Sequence, residues 1–151
     1  MTTPMTLGAL IAPQRVLPRL RVGDKAALLA ELGRRAAAAC GLAAADVTTA
    51  LTARESLGST GIGSGIGVPH ARLEGIAAPV GFFARLERPI DFAAIDGKPV
   101  DLVCLLLSPA QEHGAHLAAL AAISRRLRDA SVAEALRRSA DAAMHGLLTG
   151  S

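Results

Sequence analysis

A glycine-rich segment that ends in a histidine is the part of this 151-residue chain best suited to chemistry. Residues 58–70 read GSTGIGSGIGVPH. Glycines allow backbone N–H groups to converge on an anion, while Pro69 fixes its own φ and restricts Val68 to extended geometry. We therefore expect His70 to be held in place. A neutral imidazole can attack a phosphoryl group with one nitrogen while a hydrogen bond orients the other, so the segment predicts a reversible phosphohistidine.

The familiar phosphate-binding and nucleophile motifs do not match this segment. It has no lysine for a nucleotide P-loop, and its glycines do not fit the spacing G-x-G-x-x-G. Ser64 is not a nucleophile elbow, because Ile62 and Ile66 stand where that motif has glycine. Ile62, Ile66 and Val68 alternate with small residues, which favours a packed segment over a flexible surface loop with a stray histidine.

A second histidine is predicted to lie on a buried helix face. His116, Leu120, Ile123 and Leu127 follow helical spacing and form one stripe. Ser108 and the three residues after it resemble a capping box with proline at the first helical position, which would place His116 near a helix start that favours anions. His116 is therefore a candidate phosphate donor, and the alternative is a core histidine bonded to a backbone carbonyl.

The same histidine also belongs to a candidate metal cluster. His113 lies three residues before His116, so these two and His70 have the residue types of a zinc site. No nearby Cys or carboxylate completes the ligand set, and we expect neither a metal nor another cofactor.

Arg54 is the candidate cation. It stands at the end of a predicted helix just before the glycine segment, where its guanidinium could donate a forked pair of hydrogen bonds to phosphate. The alternative is a solvated arginine at a helix end.

These segments together resemble a known family, the type-2 enzyme IIA domains of the bacterial phosphoenolpyruvate-dependent phosphotransferase system, and within it the nitrogen-regulatory branch. The resemblance extends from about Asp24 to near the C-terminus. It rests on Arg54-Glu55, Gly58-Ser59-Thr60-Gly61-Ile62-Gly63, Gly67-Val68-Pro69-His70, Pro89-Ile90-Asp91-Phe92, Ala94-Ile95-Asp96-Gly97, Pro99-Val100-Asp101-Leu102 and His116-Leu117. The chain departs from that branch at Ala71-Arg72, where Gly-Lys is expected, and at Ser64, where asparagine is common.

The resemblance implies a phosphoryl relay. His70 would be the acceptor, modified on Nε2, with His116 and Arg54 stabilising the phosphate. The amides of the glycine segment would assist, and the phosphate-loop residues expected are Ser59, Thr60, Gly61, Gly63 and Gly67. The expected donor is a phosphorylated histidine carrier protein of the HPr or NPr type. The expected role is regulation through phosphorylation-dependent protein binding, and the alternative is a fructose- or mannitol-type enzyme IIA that passes phosphate to an enzyme IIB.

Composition favours one domain, residues 1–151, in the cytoplasm. A chain of this length can bury a substantial core without disulfides. We see no secretory signal and no segment able to cross a bilayer. The two cysteines, Cys40 and Cys104, stand alone in apolar surroundings, as reduced core residues do.

The net charge of +3 raises nucleic-acid binding as a more distant alternative. Five arginines contribute to it late in the chain: Arg125, Arg126, Arg128, Arg137 and Arg138. They alternate with apolar and acidic residues, as on solvated helix faces, and the chain has no Trp or Tyr to stack on bases. We therefore expect no nucleic-acid partner, although a basic surface can steer an acidic protein.

The predicted elements form an α/β fold. We expect helices at about 24–39, 44–54, 111–127, 131–138 and 141–148, a strand before His70, and strands at 80–86 and 102–107 with a tight turn at Asp96-Gly97 between them. Helices that flank a sheet predict a three-layer α/β/α sandwich, and the resemblance implies that the sheet is mixed.

Overall fold

The computed structural model describes residues 5–150. Its helices are α1 (Leu7–Leu10), α2 (Lys25–Cys40), α3 (Ala44–Ser56), α4 (Gly114–Arg128), α5 (Ala130–Arg138) and α6 (Met144–Thr149). Its strands are β1 (Val16–Leu20), β2 (Gly61–Gly63), β3 (Ile66–Gly67), β4 (His70–Leu73), β5 (Val80–Ile90) and β6 (Val100–Pro109). Short 3-10 turns at Pro13–Arg15 and Asp141–Ala143 complete the elements.

One mixed sheet of six strands runs through these elements, as predicted. Its order is β1-β5-β6-β3-β2, and β4 pairs with a later part of β6. Strand β6 is antiparallel to β5 and parallel to β3 and β4. The pairing therefore places His70, at the start of β4, opposite Leu106 of β6.

Successive side chains of β6 point to opposite faces of the sheet, so the strand contributes to two hydrophobic cores, one on each face. Val103, Leu105 and Leu107 pack into a cluster with α2 and α3. The alternate residues Leu102, Cys104 and Leu106 pack into a second cluster with α1, α4, α5 and α6. A strand that is covered on both faces has apolar residues at successive positions, which explains why residues 102–107 are all apolar. The layers are those of the predicted α/β/α sandwich.

Helix α2 begins and ends where the local sequence predicts. The Asp24 side chain accepts a hydrogen bond from the Ala27 amide, and Gly41 closes the helix in the left-handed region at φ 70°. The predicted turn also forms, because Gly97 at φ 72° donates its N–H to the Ala94 carbonyl.

The glycine segment is a small β-hairpin, whereas the sequence predicted a loop leading into one strand. Strands β2 and β3 pair antiparallel, and the chain reverses at Ser64 and Gly65, which have φ values of 58° and 81°. Two successive residues with positive φ are typical of the tight hairpin turn that matches strand twist. The glycines thus serve the turn and close backbone packing.

The predicted capping box at Ser108 is wrong. Ser108 and Pro109 end strand β6, and α4 starts only at Gly114. The pairing of β4 with β6 continues to the end of both strands, where Arg72 is the partner of Ser108 and Leu73 is the partner of Pro109. These long-range pairings override the local signal for a helix start. The prediction that His116 lies in the early turns of the helix is nevertheless confirmed, because it is the third residue of α4.

Candidate active site

Three elements bring Arg54, His70 and His116 together in one cleft. Arg54 lies in the last turn of α3, His70 begins β4, and His116 lies in the first turn of α4. All three line an open cleft of about 670 Å³. The centroids of the two histidine rings are 5.4 Å apart and their planes are inclined by 52°.

The backbone determines which nitrogen of His70 carries the proton. Nδ1 lies 2.8 Å from the Val68 carbonyl oxygen, two residues earlier. A carbonyl can only accept, so Nδ1 is the protonated nitrogen and Nε2 carries the lone pair. Pro69 lies between the two residues and restricts the geometry of Val68, as the sequence predicted.

Arg54 lies against the unprotonated nitrogen of His70. Its Nε donates to Nε2 of His70 at 3.2 Å, and its Nη1 donates to the Gly58 carbonyl at 2.9 Å. The second bond holds the guanidinium, so its charge stands beside the His70 ring instead of extending into solvent. This contact rules out the alternative of a solvated helix-end arginine.

His116 is buried, with 8% of its surface exposed, and its partner is a side chain instead of the backbone carbonyl considered above. Its Nδ1 lies 2.7 Å from Oγ of Ser108. Burial, and then the nearby His70, Arg72 and His113, lower the pKa of His116 to about 4. His116 is therefore neutral at pH 7.

The ring of His70 is also kept neutral. Burial is the main cause that lowers its pKa, and the positive charge of Arg54 acts in the same direction. The hydrogen bond to Val68 and the charge of Glu55 oppose the shift. The outcome favours the unprotonated Nε2 that a nucleophile requires.

Arg72 and His113 form another part of the cleft. Both line it, and Nη1 of Arg72 contacts the His113 ring, 3.1 Å from Nε2 and closer to Nδ1. The sequence grouped His113 with His70 and His116 as residue types of a metal site, but it did not predict the contact with Arg72. A register argument could have found Arg72, because it lies on β4 two residues after His70. Among residues 5–150, no group of three or more His, Cys, Asp or Glu side chains is placed to hold a metal ion.

The residues predicted to form a phosphate loop do not line the cleft. Their polar groups have partners within the protein: the Thr60 amide and hydroxyl both donate to Glu55, and the Gly61 amide donates to Oγ of Ser59. Gly63 and Gly67 pair within the sheet. Gly61, Gly63 and Gly67 are thus part of the hairpin, and the hydrogen bonds of Ser59 and Thr60 hold the chain just before it.

Glu55 anchors that hairpin beside the cleft. Its side chain is 5% exposed, and Oε2 lies 2.6 Å from Nζ of Lys25. Lys25 also donates to the Phe92 carbonyl at 3.0 Å, and Ser59 donates to the same oxygen at 2.9 Å. The chain segment just after Arg54 is thereby held against the start of α2 and the segment that follows β5.

Three of the five late arginines are engaged in internal contacts. Arg137 forms a salt bridge with Asp101 at 2.9 Å, and Arg138 pairs with Glu134 at 2.7 Å. Arg126 donates to the carbonyls of Leu147 and Leu148. These arginines therefore have partners within the protein.

Comparisons with known proteins identify the class. A family model described as "Phosphoenolpyruvate-dependent sugar phosphotransferase system, EIIA 2" matches residues 9–146. The chain therefore belongs to the type-2 enzyme IIA family, which confirms the resemblance seen in the sequence. It is a component of a phosphotransferase system.

The relatives narrow this class to its nitrogen-regulatory members. A nitrogen regulatory protein of Bradyrhizobium diazoefficiens is 46% identical over 138 residues, which cover 91% of this chain and 90% of that protein. The crystal structure of nitrogen regulatory protein IIA-Ntr from Neisseria meningitidis matches with a TM-score of 0.89 and 35% identity, covering 95% of this chain and 99% of that one.

A more distant structure shares the fold. It is enzyme IIA for mannitol from Escherichia coli, solved in complex with a phosphorylated enzyme IIB. It matches with a TM-score of 0.75 and 21% identity, covering 94% of this chain and 100% of that one.

Proposed function

We propose that this protein is a regulatory phosphohistidine carrier whose acceptor is Nε2 of His70. The observation that carries the proposal is the pair of contacts on the His70 ring. The Val68 carbonyl accepts a hydrogen bond from Nδ1–H, with 2.8 Å between nitrogen and oxygen, and Nε of Arg54 donates to Nε2 at 3.2 Å. A nucleophile and the cation that its product needs are thus already in contact.

The chemical step is an in-line phosphoryl transfer from a phosphorylated histidine carrier protein of the HPr or NPr type. Nε of Arg54 releases its hydrogen bond to Nε2 of His70 and turns to the incoming phosphoryl group, which frees the lone pair on Nε2. The new N–P bond forms at Nε2 while the P–N bond of the carrier breaks, and the electron pair of that bond stays on the carrier's ring nitrogen. Such transition states are loose, so the protein contributes mainly positioning and charge stabilisation. The Nδ1–H bond to Val68 is retained throughout.

The incoming group carries nearly two negative charges, and the cleft offers several donors for it. Arg54 and Arg72 supply guanidinium groups, and His116 supplies a ring N–H. The amino-terminal end of α4 adds the positive end of its dipole. Each charge-assisted hydrogen bond contributes about 1.5–3 kcal/mol.

The rim of the cleft suits a protein donor. Leu57 and Leu117 both line it, and 85% and 66% of their surfaces are exposed. Exposed apolar side chains around a polar centre are typical of docking surfaces. We infer that these two leucines contact the carrier around His70.

Regulation follows from the charge change at this surface. A phosphate on His70 adds nearly two negative charges beside the cationic Arg54 and Arg72, so the charge that a target protein meets at the cleft differs between the two states. The identity to nitrogen regulatory proteins supports this role. On this proposal residues 1–151 act as one enzyme IIA domain in the cytoplasm, where such carrier proteins operate.

A sugar-specific role is the second candidate, because the description of the matching family names a sugar phosphotransferase system. In that case the phosphate on His70 would pass to an enzyme IIB. The two roles separate when phosphorylated protein is mixed with purified fructose- and mannitol-type enzyme IIB. Rapid loss of label to either would replace the regulatory proposal.

The direct test uses phosphoenolpyruvate, enzyme I and the histidine carrier protein with wild type, His70→Ala and His145→Ala. His145 bonds to the Ile11 carbonyl and does not line the cleft, so it is the matched control. We expect one acid-labile phosphoryl group, seen by intact mass, on wild type and His145→Ala and none on His70→Ala. Labelling of His70→Ala would show that the acceptor is elsewhere.

A further inference from the structure

A buried hydroxyl stands at the end of an otherwise apolar row of β6. Leu102, Cys104, Leu106 and Ser108 alternate along this strand toward the layer that contains α4. Ser108 is fully buried, and its Oγ lies 2.7 Å from Nδ1 of His116. A hydroxyl is costly to bury unless it is hydrogen-bonded, so this contact is the one that compensates its burial.

The two histidines of the cleft have different kinds of partner at the same ring position. Nδ1 of His70 meets a carbonyl, which can only accept a hydrogen bond. Nδ1 of His116 meets a hydroxyl, which can also donate one. The partner of the first ring therefore leaves a lone pair at Nε2, and the partner of the second permits a proton there.

We propose that Ser108 is a positioning residue whose hydroxyl donates to Nδ1 of His116 and so keeps the ring proton on Nε2. The two histidines then hold opposite tautomers. His70 presents a lone pair for attack, and His116 presents an N–H to an oxygen of the phosphoryl group. The proposal rests on the function proposed above, because only a phosphoryl group in the cleft would use that N–H.

The reverse arrangement would work against this function. If Nδ1 of His116 donated to Ser108, Nε2 would turn a lone pair toward anionic oxygens, and the two would repel each other. The sheet itself sets the geometry: His70 pairs with Leu106, and Ser108 lies two residues further along the same strand. His70 and the side chain that contacts His116 thus lie on one strand pair.

The first experiment reads the tautomers directly. Two-bond ¹H–¹⁵N correlation spectra of ¹⁵N-histidine-labelled protein at pH 7.5 distinguish protonated from unprotonated ring nitrogens. We expect Nε2 of His116 and Nδ1 of His70 to be the protonated nitrogens in unphosphorylated wild type. A protonated Nδ1 on His116 would overturn the proposal.

Variants then test whether Ser108 is responsible. Cys104→Ala is the matched control, because it also removes one heavy atom from a fully buried Cβ of the same row. We expect Ser108→Ala to move the Nδ1 resonance of His116 downfield, as the loss of a donor does, whereas Cys104→Ala leaves it in place. Equal spectra for the two variants would overturn the proposal.

The rates of phosphoryl acceptance test whether Ser108 contributes to the proposed function. We expect Ser108→Ala to accept phosphate about fivefold to tenfold more slowly, the value of one hydrogen bond of about 1 kcal/mol. Cys104→Ala and Ser108→Thr, which retains the hydroxyl, should stay within about twofold of wild type. A rate for Ser108→Ala no lower than that of Cys104→Ala would remove Ser108 from the mechanism.

The two proposals fail in distinguishable ways. If wild type takes no label from an active carrier, the phosphocarrier function is wrong, and the spectra of unphosphorylated protein still decide which atom of the Ser108–His116 pair donates. If wild type is labelled and Nδ1 of His116 is protonated, only the inference about Ser108 is wrong.

Discussion

At the scale of single residues, the reactivity of His70 depends on the partners of its ring nitrogens. Burial and the charge of Arg54 lower its pKa, and the Val68 carbonyl holds the proton on Nδ1. The proposed acceptor is thus kept neutral by its surroundings and oriented by the backbone. The sequence indicated His70, His116 and Arg54, but it could not indicate these partners.

Replacing Arg54 by lysine should slow phosphoryl acceptance although the charge is retained. Arg54 reaches His70 with Nε and the Gly58 carbonyl with Nη1, and an ammonium group cannot reproduce that planar fork. We expect Arg54→Lys to lower the initial labelling rate about tenfold to a hundredfold. Arg88→Lys, at an exposed position of β5, is the control. Equal rates for both variants would contradict the proposed role of Arg54.

His116 should make the fold sensitive to mild acid. Its pKa is about 4 when folded, against about 6.5 in the unfolded chain. The unfolded state therefore binds more protons between these values, so stability is lost as the pH falls from about 6.5 to 4. The loss attributable to this residue is at most about 3 kcal/mol.

His116→Gln should reduce this dependence, because glutamine does not titrate. The measurement is the free energy of unfolding in urea at several pH values, for both proteins. The difference between the two curves isolates His116 from the carboxylates that titrate in the same range. Parallel curves from pH 6.5 to 4 would show that burial does not shift the pKa of this ring.

At the scale of elements, the local signals were reliable where the partners are close in sequence. Helix α2 has its predicted cap at Asp24 and its predicted stop at Gly41. Ser108 misled because its local sequence fits a helix start, while its actual environment is set by pairing with Arg72, 36 positions earlier in the chain. The hairpin in the glycine segment could not be predicted for the same reason. The residues against which it packs follow β5 and are distant in sequence.

Gly61 illustrates why that segment is rich in glycine. A Cβ at this position would lie 2.7 Å from Cβ and 2.8 Å from Cα of Ala94. We expect Gly61→Ala to destabilise the protein by about 1–3 kcal/mol, because backbone has to move. Gly23→Ala, where a Cβ would have no neighbour within 4 Å, should change stability by less than about 0.5 kcal/mol. Urea unfolding checks both, and equal midpoints would contradict the packing argument.

At the scale of the whole molecule, the cleft lies where the sheet meets both helical layers. Helix α3 belongs to one layer and α4 to the other, and β4 lies between them. Each contributes a side chain to the same cleft. Within residues 5–150 no helix is long and apolar enough to cross a membrane.

The exposed rim of the cleft should control docking of the carrier. We expect Leu117→Glu to raise the KM for the phosphorylated carrier about tenfold with little effect on stability, because it places a charge at an apolar contact. Ile95→Glu is the matched control, since Ile95 is 85% exposed but does not line the cleft. Steady-state labelling measures both, and an equal KM would place the docking surface elsewhere.

The sequence by itself determined the family, the α/β class, the existence of strands β5 and β6, the bounds of α2 and the identity of the candidate acceptor. These depend on residue types and on short spacings along the chain, which can be seen directly in the sequence. The tertiary structure decided that the glycine segment is a hairpin, that Ser108 faces His116, and that Arg54 reaches Nε2 of His70. Each of these depends on which distant segments the sheet brings into contact, and that pairing is a property of the whole fold.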